Sequence, residues 1–247
     1  VTLDPLFFAM AVPAVIFAGI SKAGFGSGAA FAAAPFLALI LEPEQAIGLM
    51  LPLLMLMDVL TLRPYWRQWD AGATRLLILG GLPGVALGAA FWSAVDEDTI
   101  RVLIGAIAIG FVLFKLLGTN LRLSKDGGPM AGLVAGVAAG FTSFVSHAGG
   151  PPATVYLLSK GMGKTEYQAT TVIVFWVINL AKAVPYGILG MITVETLRAG
   201  LFLIPAAVVG VWLGVVAHRS IPERAFFAVT YILLVTTGTK LIWDALT

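Results

Sequence analysis

Residues 140–187 read GFTSFVSHAGGPPATVYLLSKGMGKTEYQATTVIVFWVINLAKAVPYG. An apolar, helix-like run stops at Ser146-His147-Ala148-Gly149-Gly150 and restarts behind Pro151-Pro152. Proline fits the first turn of a helix, where its missing N–H costs nothing. One helix therefore ends in this knot and another begins. The freed backbone N–H groups of the second start point back into the break and make a natural anion site. Further on, Thr170, Thr171, Asn179 and Lys182 interrupt an otherwise apolar span. Polar groups are expensive in lipid and usually functional there. The stretch predicts a transporter whose anion site is a broken helix.

The composition agrees with that class. Hydrophobic residues make up 59% of the chain, charged ones 11%, and the mean hydropathy is +0.97. Apolar windows of about 20 residues, the length that crosses the hydrocarbon layer, recur throughout. The expected fold is an all-α polytopic membrane protein, with the lipid bilayer as its main partner. The net charge of +2 is spread singly over span ends, which leaves nucleic-acid binding without a basic patch. Zero cysteines exclude disulfides and thiolate metal ligands. No basic region precedes the first apolar run, so no cleavable signal is expected.

The chain in order gives a first span over residues 5–21 and a break at Lys22-Ala23-Gly24-Phe25-Gly26-Ser27-Gly28. A short helix over 29–41 follows, stopped by Glu42-Pro43, and then full spans near 45–62, 72–93 and 99–117. After a polar loop the plan recurs. A span near 130–145 leads to the SHAGGPP break, a short helix near 152–160, and full spans near 166–188, 194–217 and 222–245. GFGSG aligns with SHAGG, Glu44 with Glu166, Tyr65 with Tyr186, and Gly84-x-x-x-Gly88 with Gly210-x-x-x-Gly214. The expected organisation is a first transmembrane repeat over 1–117, a linker over 118–128 and a second repeat over 129–247.

Loop charge sets the relation between the halves. Arg63, Arg67 and Arg75 follow the third segment, and Lys115, Arg122 and Lys125 surround the linker, whereas the loops at Glu42–Glu44 and Asp96–Asp98 are acidic. In the second half Lys160 and Lys164 precede the third segment and His218, Arg219 and Arg224 follow the fourth, while residues 189–196 carry only Glu195. By the positive-inside rule, equivalent loops then lie on opposite sides. This predicts an inverted-topology repeat of two five-segment halves, whose broken or re-entrant helices meet near the midplane. Residues 118–128 and 218–224 are expected in the cytoplasm, and 94–98 and the C-terminus on the far side.

The residues expected to touch substrate are Lys22, Gly26, Ser27, Gly28, Ser146, His147, Gly149, Gly150, Thr170, Thr171, Asn179 and Lys182. Each has a plainer reading. His147 packs against a carbonyl instead of meeting substrate, and Lys182, near Pro185-Tyr186, snorkels to the headgroups. Lys22 stands closer to its break. Asp58 and His147 are the proton-coupling candidates, the histidine because its charge changes in the working pH range. Asp58 otherwise forms a structural ion pair with a lysine. The Gly84/Gly88 and Gly210/Gly214 pairs read as close helix packing, and Phe175 and Trp176 as packing. With His218 at a loop edge, a histidine metal site has no support; no metal, no cofactor and no catalytic residue is expected.

GFTSFVSHAGGPPATVYLL, then Thr170-Thr171, then Asn179-Leu180-Ala181-Lys182 and Pro185-Tyr186, resembles the sulfite exporter TauE/SafE family, also called toluene sulfonate uptake permeases. Gly24–Gly28, Pro35, Gly48-Leu49-Met50-Leu51-Pro52 and Asp58 resemble that family's opening repeat. The resemblance covers essentially the whole chain and implies a multi-pass carrier of the bacterial inner membrane for sulfite or organosulfonate anions. It departs at Gly48-Leu49-Met50, where many members carry Gly-Thr-Ser.

The expectation is a secondary transporter, exporting a small anionic substrate held by the N-termini of two short half-helices at the Gly24–Gly28 and Ser146–Pro152 breaks. Two other readings stand beside it. One is an intramembrane serine hydrolase using Ser27 and His147; the other is a non-selective anion channel. A homodimer is compatible with the sequence, which does not set the oligomeric state.

Overall fold

Capping side chains, prolines and glycines decide where each helix begins and ends. A computed structural model describes residues 1–24, 30–116, 128–217 and 223–247. The elements are α1 (Pro5–Gly24), a 3-10 turn (Ala30–Ala32), α2 (Ala33–Leu37), α3 (Pro43–Leu62), α4 (Ala71–Trp92), α5 (Glu97–Leu116), α6 (Pro129–Ser146), α7 (Gly150–Ser159), α8 (Lys164–Ile188), α9 (Val194–Ala217) and α10 (Glu223–Leu246). Residues 25–29, most of the expected linker and residues 218–222 lie outside the described residues, and with them Gly26, Ser27 and Gly28.

Asp4 accepts the Phe7 N–H at 2.7 Å and Asp70 the Ala73 N–H at 2.5 Å, which satisfies free donors at the starts of α1 and α4. Asp96 accepts the Thr99 N–H at 2.8 Å, and that bond holds its carboxyl below the usual carboxylate range. Thr193 and Thr196 exchange side-chain-to-backbone bonds at the start of α9. Pro43 and Pro129 open α3 and α6.

The short helix expected over 29–41 is a correction. It divides into the 3-10 turn and a five-residue α2, followed by turns up to Glu42. Pro35 has no N–H to give the Phe31 carbonyl, so regular α-helix starts only at Ala33, where proline sits harmlessly in the first turn. At the other end Glu42 is held extended, with ψ 146°, by the proline that follows it.

Seven helices among the described residues are long and apolar enough to cross a membrane: α1, α3, α4, α6, α8, α9 and residues 228–246 of α10. The protein is an all-α, multi-pass membrane protein. Its helices pair reciprocally, α1 on α9, α6 on α4, and α5 on α10. Small residues make the first two contacts. A Cβ at Gly140 would come within 2.1 Å of the Gly81 carbonyl, and one at Gly84 within 2.2 Å of the Val137 carbonyl. On the other pair, a Cβ at Gly24 would come within 2.6 Å of the Gly214 carbonyl and one at Gly210 within 2.6 Å of the Ile16 carbonyl. Backbones that approach this closely gain dispersion contacts that lipid cannot offer, because burial in lipid provides no hydrophobic drive between helices.

α3 and α8 pack on each other at the centre, α3 also against α9 and α8 against α4. Two tyrosines tie this pair to the helices that stop short. Tyr65, just after α3, donates to the Ala23 carbonyl of α1 at 3.4 Å; Tyr186 of α8 donates to the Phe144 carbonyl of α6 at 2.5 Å. Both bonds span 42 positions.

Candidate functional site

The polar side chains that interrupt the apolar spans converge where α1 and α6 end against α3 and α8. Lys22, in the last turn of α1, is 3% exposed, and Asp58 of α3 and Lys182 of α8 are fully buried. A lysine at the centre of a membrane helix costs about 2.5–3.5 kcal/mol on insertion scales, so each charge needs a partner. Lys22 Nζ stands 2.8 Å from Asp58 Oδ1. That approach is an ion pair without hydrogen-bond alignment, and Oδ1 has no aligned donor. Asn179 Nδ2 donates to the other oxygen, Oδ2, at 2.7 Å.

Lys182 lies three residues beyond Asn179, on nearly the same face of α8. Among the described residues it faces no carboxylate within 4 Å. Its ammonium is instead held by the Ser143 carbonyl at 3.0 Å, the Ser143 hydroxyl at 3.0 Å and His147 Nδ1 at 2.8 Å. The Tyr186 ring lies 5.8 Å away, within cation–π range. Tyr186 is itself fixed by its bond to Phe144 and by an edge-on contact with that ring at 4.9 Å.

His147 closes α6 in the left-handed conformation, with φ 56° and ψ 13°. Histidine is among the side chains enriched there. The turn aims its ring across the bundle, so that Nε2 meets the Ile47 carbonyl of α3 at 3.0 Å. A carbonyl only accepts, so Nε2 carries the proton. In a neutral ring Nδ1 is then the acceptor that the Lys182 ammonium requires. These two neighbours select the neutral Nε2–H tautomer.

A cavity of about 20 Å³ opens among Lys22, Ser143, His147, Phe175 and Asn179, with Ala30 and Phe31 on its wall. That is room for about one water molecule. Lys22 Nζ has three N–H groups, none aligned on Asp58 Oδ1, and Asn179 has two, one of them directed at Asp58 Oδ2. The Ser143 hydroxyl accepts from Lys182 and keeps its own hydrogen. Donors therefore face the cavity. A second cavity of about 250 Å³, between α5, α6 and α7, is lined by Phe111, Phe114, Pro151 and Pro152 and carries no charged side chain.

Of the residues expected to touch substrate, the structure brings Lys22, His147, Asn179 and Lys182 together, along with Asp58. Others are placed elsewhere. The Ser146 hydroxyl turns back to the Thr142 carbonyl at 3.4 Å. Thr170 accepts the Asp70 N–H at 3.0 Å, and Thr171 donates to the Gln168 carbonyl at 2.8 Å. Gly149 is packed against Phe175, Ala139 and Ser143, and the Gly150 carbonyl accepts from Thr154. Sequence reasoning missed Ser143, although it lies four residues before His147 on one helix face. It also missed Gln168, which donates to the Lys22 carbonyl at 2.8 Å, and the Ile47 carbonyl, which no side-chain pattern reveals. Among the described residues no group of three metal-ligating side chains gathers. Both nitrogens of His147 are committed, so the geometry lends no support to a base acting on Ser27.

The family model described as sulfite exporter TauE/SafE matches residues 11–241. The chain belongs to that family. The match takes in every residue of the buried cluster, from Lys22 to Lys182, and makes this multi-pass protein a member of a transporter family. No curated protein and no solved structure matches the chain.

Proposed function

We propose that this TauE/SafE member is a secondary transporter that exports a small sulfur oxyanion, sulfite or an organosulfonate, across the bacterial inner membrane. The observation that carries the reading is the buried cluster in which two lysines are gathered with a single carboxylate, which pairs with Lys22, beside a cavity faced by spare donors. Lys22 Nζ, Asn179 Nδ2 and the Ser143 hydroxyl are the groups that would hold sulfonyl oxygens, with Lys182 supplying charge from behind. Ala30 and Phe31 stand on the cavity wall and α7 starts three residues after His147, so both short helices begin near the anion. Their contribution adds to that of the lysines. The cavity must widen to admit an anion of this size, as expected of a site that opens to one side at a time.

The same reading includes an inverted repeat, with halves 1–117 and 129–247. The reciprocal pairing of α1 with α9 and α6 with α4 supports it, as do the two tyrosine bonds that span the same 42 positions. A membrane potential contributes about 2.3 kcal/mol per charge per 100 mV, so an anion leaves a negative interior without a coupling ion. Calorimetry on monodisperse protein tests the function: sulfite and methanesulfonate are expected to bind, while choline, a cation of similar size, is not. Binding of neither anion would overturn the proposal.

A further inference from the structure

The charges in the cluster do not cancel, and the remainder specifies the ligand. Among the described residues, the ionisable groups facing the site can be counted. α1 brings Lys22, α3 brings Asp58, α6 brings His147, and α8 brings Lys182 and Tyr186. The helices behind them add none: α4 has no ionisable side chain from Leu76 to Trp92, and α9 none from Ala199 to Ala217. The same holds for residues 102–114 of α5, and residues 225–239 of α10 have only Tyr231, with Lys240 beyond them paired with Asp244. His147 is neutral, because its Nε2–H is directed at the Ile47 carbonyl and its Nδ1 receives the Lys182 ammonium. Lys182 Nζ meets three acceptors, which takes the three N–H groups of an ammonium. With Lys22 paired to Asp58 and the imidazole neutral, the described groups leave one positive charge inside the membrane.

We propose, resting on the transport reading above, that the site accepts one net negative charge: a monoanion binds alone, and a dianion binds together with one proton taken up by Asp58. A monoanion neutralises the cluster as it stands. A dianion alone would leave a net negative charge in a medium that penalises it heavily. One proton restores neutrality, and the hydrogen bonds decide where it goes. On His147 it would set an N–H against the Lys182 ammonium and break that contact. Asp58 Oδ1, by contrast, has no aligned hydrogen bond to lose. Once Asp58 is neutral, Lys22 Nζ is released from the ion pair and turns to the second negative charge. Each turnover then moves a single negative charge whatever the valence of the substrate.

The test is calorimetry on the full chain in detergent, in Tris and in HEPES, whose different ionisation enthalpies reveal protons taken up on binding. Methanesulfonate is the monoanion probe and sulfate the dianion probe, neither of which changes protonation near neutrality. The expected result is no proton uptake with methanesulfonate and about one with sulfate, whose affinity falls about tenfold per unit rise in pH. In Asp58→Asn the sulfate uptake is expected to vanish; should that variant not fold, the two slopes of the parent protein still decide. Methanesulfonate binding accompanied by proton-free sulfate binding, or by no sulfate binding at any pH where the protein is folded, overturns this inference alone. Absence of binding by both anions overturns the transport reading with it.

Discussion

Asp58 and Asn179, 121 positions apart, meet at the contact of α3 and α8 in a hydrogen bond of 2.7 Å. Under the proposed repeat these are equivalent positions, one occupied by a carboxylate and the other by its amide analogue. The substitution matters electrostatically. Two carboxylates so close would repel, and two amides would leave Lys22 without a counter-charge. One of each supports a single ion pair and gives the carboxylate a neutral donor on its other oxygen.

The first prediction concerns that ion pair. Asp58→Ala leaves Lys22 buried without its partner and is expected to destabilise the protein by about 3–5 kcal/mol. The double variant Lys22→Met/Asp58→Leu removes both charges at similar volume and is expected to recover most of the loss. Thermal unfolding in detergent measures both. A single variant as stable as the parent would remove the ion pair from the description of the core.

His147 separates hydrogen bonding from protonation. Glutamine carries an amide N–H to give the Ile47 carbonyl and an oxygen to accept from Lys182, so His147→Gln is expected to keep binding within a few-fold. Its pH profile of transport into proteoliposomes is expected to match the parent's. His147→Ala leaves the Lys182 ammonium short of one acceptor, which costs about 1–3 kcal/mol. A profile altered in the Gln variant would make the imidazole a proton carrier.

Helix packing is tested away from the site. In Gly140→Ala the new methyl meets the Gly81 carbonyl, whereas in Gly200→Ala it meets nothing within 4 Å. The first is expected to lower stability by about 1–3 kcal/mol. The second is expected to be neutral or slightly stabilising, since alanine is the better helix former. Equal melting temperatures would contradict the close approach of α4 and α6.

The inverted repeat makes a topological prediction. Gln68, in the arginine-bearing loop between α3 and α4, and Glu195, at the start of α9, are both exposed. In a chain without cysteine, Glu195→Cys is expected to react with an impermeant maleimide in intact cells and Gln68→Cys only after lysis. Labelling from the same side would contradict the inversion.

Most helices were legible in the sequence because long apolar runs and their proline and glycine stops are local signals. α2 was not, since one proline decides how much of residues 29–41 can hold α-helical bonds. In the site, Lys22, Asp58, His147, Asn179 and Lys182 stood out as polar groups in apolar spans. Thr170 and Thr171 stood out equally, yet their hydroxyls serve nearby backbone. No local signal separates a hydroxyl that satisfies the backbone from one that faces a ligand. Which lysine Asp58 takes, and that His147 reaches the carbonyl of residue 47, are outcomes of the α3–α8 contact and could be read only from the fold.

The central claim, that the anion sits against the Lys22–Asp58–Asn179 cluster, is tested most directly by methanesulfonate calorimetry on the double variant Lys22→Met/Asp58→Leu. That variant loses the cavity's cation without gaining an unpaired charge, so a change in binding is not a change in folding. Removing a charge-assisted contact of about 1.5–3 kcal/mol is expected to weaken binding at least tenfold. Binding at the parent's affinity by a variant that unfolds at the parent's temperature would contradict the account, and the anion would have to be sought elsewhere in the bundle.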